Sequence, residues 1–332
     1  MFAPSTSHMP PTMVMNLLRQ PRSESGLWMP RRIAPAVGRS AKASAAPVDS
    51  KALSSRLVRP YGFSGRSGRT QPEQGGMRIT RAVLLDALRK EQVQAWLQPK
   101  VSVQSQQLVA LEALARWRHP QWGVLSPDVF LPWFSEHGLD EALLLHMLQE
   151  VLGLQAYWRR QGLSVPVAVN LPTHLLDDVS LPDRLMACVQ EQQGQASQIT
   201  LELLENSNTR TPCALFLGAS RLVAMGFGLA QDDAGVAYSS MERLMSAPFS
   251  ELKLDRQSVN GLAHSREQSE QVQDWIRVAK QRGLRVTAEG VEQQEDLDCL
   301  RQMGCDYAQG YLFAKPTPAF ELDMWMRQRW AT

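Results

Sequence analysis

The chain has 332 residues, 44% of them hydrophobic and 20% charged, with a formal net charge of +2. This is ordinary globular composition with enough apolar material for a sizeable core. No apolar run approaches the roughly 20 residues that span a bilayer, which excludes a predicted transmembrane helix. Cys188, Cys213, Cys299 and Cys305 form no Cys-x-x-Cys pair. Three of them sit in apolar helical surroundings and read as core residues rather than ligands, in a chain of the reducing cytoplasm.

Charge is unevenly spread. Residues 1–76 hold 11 Lys/Arg against 3 Asp/Glu, and the rest of the chain holds 24 against 30. The same segment carries 9 of the 20 prolines and shows no period of 2 or 3.6. It is expected to be a disordered, basic, Pro/Ser/Arg-rich extension. A solvated tail is the favoured reading. Contact with nucleic acid or an anionic membrane, and an organellar transit peptide, are the alternatives. Met77, just before the ordered pattern begins, is an alternative translation start that intact-mass analysis of native protein would test.

Residues 77–332 read as a single domain of the length typical of an eight-fold barrel. Thr80 is placed to cap a helix over 81–90, with Leu84, Leu85 and Leu88 on one face. A strand over 93–103, interrupted at Pro99, is followed by a strand over 108–117 and a loop through Pro120, Gly123 and Pro127. The strongest helical pattern covers 141–160, where Leu143, Leu144, Met147, Val151, Leu154 and Trp158 repeat at three-to-four spacing and Gly162 ends it. Beyond it, strands over 165–170, 199–203, 228–232, 251–254, 285–288 and 306–309 alternate with helices over 182–193, 213–225, 241–246, 267–282, 295–303 and 320–328. Alternation of this kind predicts a parallel sheet. The strand count favours a closed TIM-like (β/α)8 barrel over an open dinucleotide-binding sheet, since no Gly-x-Gly-x-x-Gly follows the first strand.

Polar residues stand at the tips of these apolar runs: Glu112, Asn170, Glu202, Asp232 with Asp233, Lys253, Glu289 and Gln309. In a parallel barrel such tips gather on one rim, where the chemistry is found. Five carboxylates on one rim call for cations, so the pattern predicts a divalent-metal site.

The ordered series Gln98-Pro99, Glu112-Ala113-Leu114-Ala115-Arg116-Trp117, Val169-Asn170-Leu171, Leu201-Glu202-Leu203-Leu204-Glu205, Asp232-Asp233, Leu252-Lys253-Leu254-Asp255, Ala288-Glu289-Gly290-Val291-Glu292 and Gln309-Gly310-Tyr311 resembles the EAL domain. That family is the bacterial signalling phosphodiesterase module for cyclic di-GMP. The resemblance covers nearly all of residues 80–330. It implies a barrel that opens cyclic di-GMP to linear pGpG with two Mg²⁺ or Mn²⁺ ions. By it, Glu112, Asn170, Glu202 and Asp232 would hold one ion, and Asp232, Asp233 and Glu289 the second. Lys253 would contact the attacking water, Glu289 would help deprotonate it, and Glu205 would brace the loop after Asp233. Arg116 would grip a phosphate, with Gln98, Leu114 and Gln309 also facing substrate. Cyclic di-GMP is thus the expected partner. A homodimer is a further expectation, while binding to nucleic-acid polymers is not expected.

The loop after the Asp pair departs from the family pattern, with Ala234 where an aromatic stands and Ala237 where a glycine stands. This leaves two alternatives beside an active enzyme: a catalytically weak cyclic di-GMP receptor, and a protein that controls a partner through the barrel surface. His119, His137, His146, His174 and His264 show no metal spacing and read as surface or loop residues. Trp133 reads as packed, and Asp255 as structural.

Overall fold

A computed structural model of the chain describes residues 79–204, 212–234, 244 and 247–330. The extension over 1–76, Glu205, residues 235–243 of the divergent loop and most of the helix expected over 241–246 lie outside the described residues.

The first helix, α1 (Arg81–Arg89), begins at the expected cap, where the Thr80 hydroxyl accepts from the Val83 amide at 3.4 Å. It leads into β1 (Val93–Ser102) and β2 (Leu108–His119). Only five residues separate these strands, too few for a crossover helix, so they pair as an antiparallel hairpin. A short strand, β3 (Gly123–Leu125), folds back on β2, and α2 (Pro127–Glu136) follows where the sequence suggested only a loop. Proline at the first helical position suits that start.

From there strand and helix alternate as expected: α3 (Asp140–Arg160), β4 (Val167–Leu171), α4 (Leu181–Glu191), β5 (Ile199–Leu203), α5 (Pro212–Ala224), β6 (Gly228–Ala234), β7 (Glu251–Leu254), β8 (Arg285–Ala288) and β9 (Tyr307–Gln309). Helices Arg266–Gln281 and Gln294–Gln302 flank β8. The two-residue β10 (Thr317–Pro318) and a final helix, Ala319–Trp330, close the sequence of elements.

Strands β1, β2, β4, β5, β6, β7, β8 and β9 close into an eight-stranded barrel, with β3 and β10 as appendages. Six neighbouring pairs, from β2–β4 round to β8–β9, are parallel. The expectation of a wholly parallel barrel is corrected at β1, which runs antiparallel to both β2 and β9.

Pro99 does not interrupt β1, which is continuous through it. The opposed residue, Leu111, turns its amide away from β1 to Pro166. At such a pair the backbone groups of both residues point outward. The missing N–H of Pro99 therefore falls between the stretches of β1 that pair with β10 (Trp96, Leu97) and with β9 (Lys100 to Ser102), where no ladder bond needs it.

Outward-facing leucines of the strands, among them Leu111, Leu203, Leu229, Leu252 and Leu254, are fully buried under the helices. On α3 the expected stripe is buried at Leu143, Leu144, Met147, Val151 and Trp158 and half-buried at Leu154. Fully burying each such side chain contributes roughly 1.5–3 kcal/mol. This double coverage explains why the strands read as unbroken apolar runs. Among the described residues no helix is long and apolar enough to cross a membrane.

Two of the histidines read as surface residues are buried. His146 Nε2 lies 2.7 Å from the Val93 carbonyl. His119 stacks on Trp122 at 4.2 Å, and its Nδ1 accepts from the amides of Gln121 and Trp122. The partner of His146 lies 53 residues away in sequence, whereas His119 is enclosed by its own neighbours Trp117 and Trp122. Trp133 packs edge-on against Trp117, as expected.

Candidate active site

Because β-strand side chains alternate between faces, one inward position per strand reaches the rim. Glu112 from β2, Asn170 from β4, Glu202 from β5, Asp232 from β6, Lys253 from β7 and Gln309 from β9 occupy these positions. Glu289 follows directly on β8, held by its amide to the Leu254 carbonyl at 3.0 Å. Gln98 enters from the antiparallel β1, opposite Glu112.

Lys253 is the centre of the cluster. Its side chain is 1% exposed, and Nζ lies 2.6 Å from Glu289, 2.8 Å from Glu202, 3.1 Å from Asp232 and 3.7 Å from Glu112. Asn170 Nδ2 sits 3.5 Å from Glu112. Gln309 Nε2 donates to Gln98 Oε1 at 3.0 Å and to Glu112 Oε2, and Gln98 in turn donates to the Ala314 carbonyl at 3.1 Å.

Adjacent residues on a regular strand point to opposite faces, so Asp232 and Asp233 should not share a site. The β6–β7 register shifts between Gln231 and Ala234, and Asp233 adopts the left-handed region at φ 58°. A bulge of this kind re-aims a side chain. It brings carboxylate oxygens of Asp232, Asp233 and Glu289 within 4.8 Å of one another. Ala234 beyond the bulge is fully buried.

The electrostatics follow from one ammonium among five carboxylates. Burial alone would lower the Lys253 pKa, but the surrounding acids, Asp232 foremost, hold it well above the ordinary value. Burial pushes the Glu202 and Glu289 carboxyls well up, and the neighbouring acids add to this against the pull of Lys253. Burial and then Asp232 raise Asp233 to about 6. Glu112 moves the other way: burial raises it, but Lys253, the Gln309 amide, Lys100 and Asn170 together outweigh that.

A divalent ion fits these residues. Gln309 Oε1 is buried with no hydrogen-bond partner among the described residues, while the buried Asp232 Oδ1 and Glu289 Oε1 meet a single cation, Lys253, which they share with Glu112 and Glu202. Under-compensated oxygens in an all-oxygen donor set match hard cations. Formally, five carboxylates and one lysine carry −4, which two dications would neutralise.

Arg116 lies half-buried on β2, with its guanidinium over the Trp96 ring at 5.8 Å. Leu114, two residues before it, is also half-buried. Glu205 lies outside the described residues.

The tips did not announce the layer beneath. Lys100 Nζ and Thr287 Oγ1 both lie 2.6 Å from Glu251 Oε1, sealed inside the barrel. A signal was available, since Lys100 stands two residues after Gln98 and Glu251 two before Lys253, on the same inward face.

The family model for the EAL domain matches residues 81–316. The chain is 33% identical over 225 residues to the cyclic di-GMP phosphodiesterase RocR of Pseudomonas aeruginosa, covering 68% of this chain and 57% of RocR. It is 32% identical to the probable cyclic di-GMP phosphodiesterase PdeB of Escherichia coli, covering 74% of this chain and 46% of PdeB. Among solved structures, the PaMucR phosphodiesterase in complex with c-di-GMP superposes with a TM-score of 0.67 at 33% identity, over 72% of this chain and 97% of that one. The chain thus spans about half the length of these curated relatives.

Proposed function

The chain belongs to the EAL domain family, and from that premise we propose that it is a metal-dependent phosphodiesterase that opens cyclic di-GMP to linear pGpG. One observation supports the proposal: four carboxylates from four strand ends, Glu112, Glu202, Asp232 and Glu289, crowd round the single ammonium of Lys253 at the rim.

Glu112, Asn170, Glu202 and Asp232 would hold one Mg²⁺ or Mn²⁺, and Asp232, Asp233 and Glu289 the other. Ions bound there would supply acidified water and offset charge on the phosphate oxygens. The protein's own groups do the rest. Arg116 grips a phosphate oxygen through two parallel N–H bonds, a geometry that lysine cannot offer. Gln309 has both amide contacts fixed on Gln98 and Glu112, so its bare Oε1 is left to accept from water. Lys253 donates to the same water. Glu289, whose carboxyl burial holds well above the ordinary carboxylate range, takes the water proton. The water oxygen bonds to phosphorus as one bridging P–O bond breaks, and the released ribose oxygen takes up a proton from solvent to leave as a hydroxyl. Gln98 orients Gln309, Leu114 borders the substrate side, and Glu205 is assigned to brace the loop after Asp233.

The test is turnover of cyclic di-GMP by the purified full chain with Mg²⁺ and then Mn²⁺, products resolved by chromatography. Linear pGpG should appear, and Glu112→Ala should cut the rate by about a hundredfold or more with an unchanged circular dichroism spectrum. Nucleotide binding without any product would select the receptor reading instead, with the divergent residues from Ala234 to Ala237 as the first suspects.

The proposed homodimer has support in α5. Cys213, Phe216, Leu217 and Val223 are exposed along one side of the helix, Phe216 three residues after Cys213 and Val223 seven after Phe216. Phe216→Glu should lower the mass measured by light scattering from dimer to monomer; a wild-type chain that is already monomeric would end this part of the reading. All four cysteines are unpaired, which agrees with the cytoplasmic setting we assign.

A further inference from the structure

We infer that Arg256 is a positioning residue that fixes the Glu289 loop from outside the barrel. The inference rests on the reading of Glu289 as a metal ligand. It begins three residues after Lys253, where Asp255 caps the short helix Arg256–Val259 by accepting from the Gln257 amide at 2.7 Å. The base of the Arg256 side chain is thereby fixed to the end of β7.

From there the side chain crosses to the loop after β8. Its Nη2 pairs with Glu292 Oε1 at 2.7 Å. Its stem lies over Gly290, so closely that a Cβ at position 290 would stand 2.2 Å from Arg256 Cγ and 2.8 Å from Cδ. Gly290 also sits at φ +62°, where a side chain is strained in any case.

The opposite side of the loop is closed as tightly. A Cβ on Gly310 would stand 2.1 Å from the Val291 carbonyl oxygen and 2.4 Å from its nitrogen. Val291 donates to the Gln309 carbonyl at 3.0 Å and accepts from Leu312 at 3.1 Å. Residues 289–292 are therefore held between the Arg256 stem and the backbone that carries Gln309.

The arginine side chain is 55% exposed, and an ion pair that open adds little by charge alone. The contact that matters is the stem, which occupies the space that glycine leaves at 290. Arg256 thus ties the strand end bearing Lys253 to the loop bearing Glu289, and sets where Glu289, a ligand of the second ion, stands.

The test uses the full chain and two readouts. Hydrogen exchange, followed by mass spectrometry on the peptide covering residues 289–312 without metal, reads the loop alone. Mn²⁺ titration followed by electron paramagnetic resonance reads the two ion sites. Arg256→Ala should speed exchange about tenfold and weaken the second Mn²⁺ event about tenfold, leaving the first unchanged. Arg256→Lys, which keeps the stem, should restore most of both. Unchanged exchange in Arg256→Ala would overturn the inference. So would equal weakening at both ions with no rescue by lysine, the mark of general destabilisation. A wild-type chain that binds no Mn²⁺ while exchange still responds to Arg256→Ala would uphold the clamp and overturn the metal reading.

Discussion

Two buried lysines sit on the barrel axis one layer apart, and their surroundings differ in one respect. Lys100 faces one carboxylate, Glu251, which Thr287 also satisfies. Lys253 faces four within 3.7 Å. The lower layer is balanced and complete, as the interior of a folded protein requires. The upper layer holds more negative charge than its one cation can compensate. An assembly that is unfavourable as structure persists where something else completes it, so the imbalance, rather than the burial of charge, marks the functional end of the barrel.

The largest effect should come from breaking the upper layer. Lys253→Met removes that layer's cation and a group placed to contact the reacting water, so turnover should fall about a hundredfold or more. The metal-free fold should lose about 3 kcal/mol, the usual cost of leaving buried charge unpaired. At about 2–4 °C per kcal/mol, calorimetry in a chelator should show the change directly. Mn²⁺ should then raise the melting temperature of the variant more than that of wild type, because a dication replaces the missing compensation. Equal Mn²⁺ stabilisation of both chains would mean that the carboxylates do not share one charge balance.

Breaking the lower layer should look different. Lys100→Met strands Glu251 and should cost about 3 kcal/mol as well, but Mn²⁺ should give it no more help than it gives wild type. Lys100→Met combined with Glu251→Leu and Thr287→Val replaces the whole layer with apolar groups and should recover most of the loss. Turnover per folded molecule should stay within about threefold of wild type, since no residue changed touches substrate. If the triple variant lost Mn²⁺ binding, the two layers would be one system and the contrast between them would fail.

The strand tips were legible because a parallel barrel converts sequence position into spatial position: an inward residue at the end of each apolar run must reach the same rim. The antiparallel β1 was less legible, since its apolar pattern resembles that of its neighbours, and only the five-residue link to β2 betrays its direction. The joint use of Asp232 and Asp233 depends on a bulge with a left-handed aspartate, which the period of a regular strand argues against. Arg256 was unreadable for another reason. It reaches the site through one glycine's missing side chain, and the contact joins loops 34 residues apart. Gln231 marks a similar limit: it reads as one more residue of an apolar strand, yet it is fully buried with both side-chain amide atoms unpartnered.

The smallest effect, and the sharpest test of the imbalance, lies in pH. Burial, followed by the charge of Asp232, raises Asp233 from the ordinary 3.8 to about 6. A carboxyl whose folded pKa exceeds its unfolded value binds more proton in the folded state between the two, so its contribution to stability falls as pH rises through that window. Other carboxylates in the chain titrate with the opposite sign, Asp178 among them at about 2, so only a difference isolates the term. Asparagine keeps the shape of Asp233, tolerates the left-handed backbone and never ionises. In a chelator, Asp233→Asn should therefore be more stable than wild type at pH 7, and the gap should close as pH falls from about 6 to below 4. Saturating Mn²⁺ should reverse the order at pH 7, because the aspartate then has its counter-charge and the amide is the poorer ligand. A gap that stayed constant with pH would show that Asp233 is not strained by its neighbours' charge. A reversal that failed to appear would remove Asp233 from the ligand set while leaving the balanced layer below untouched.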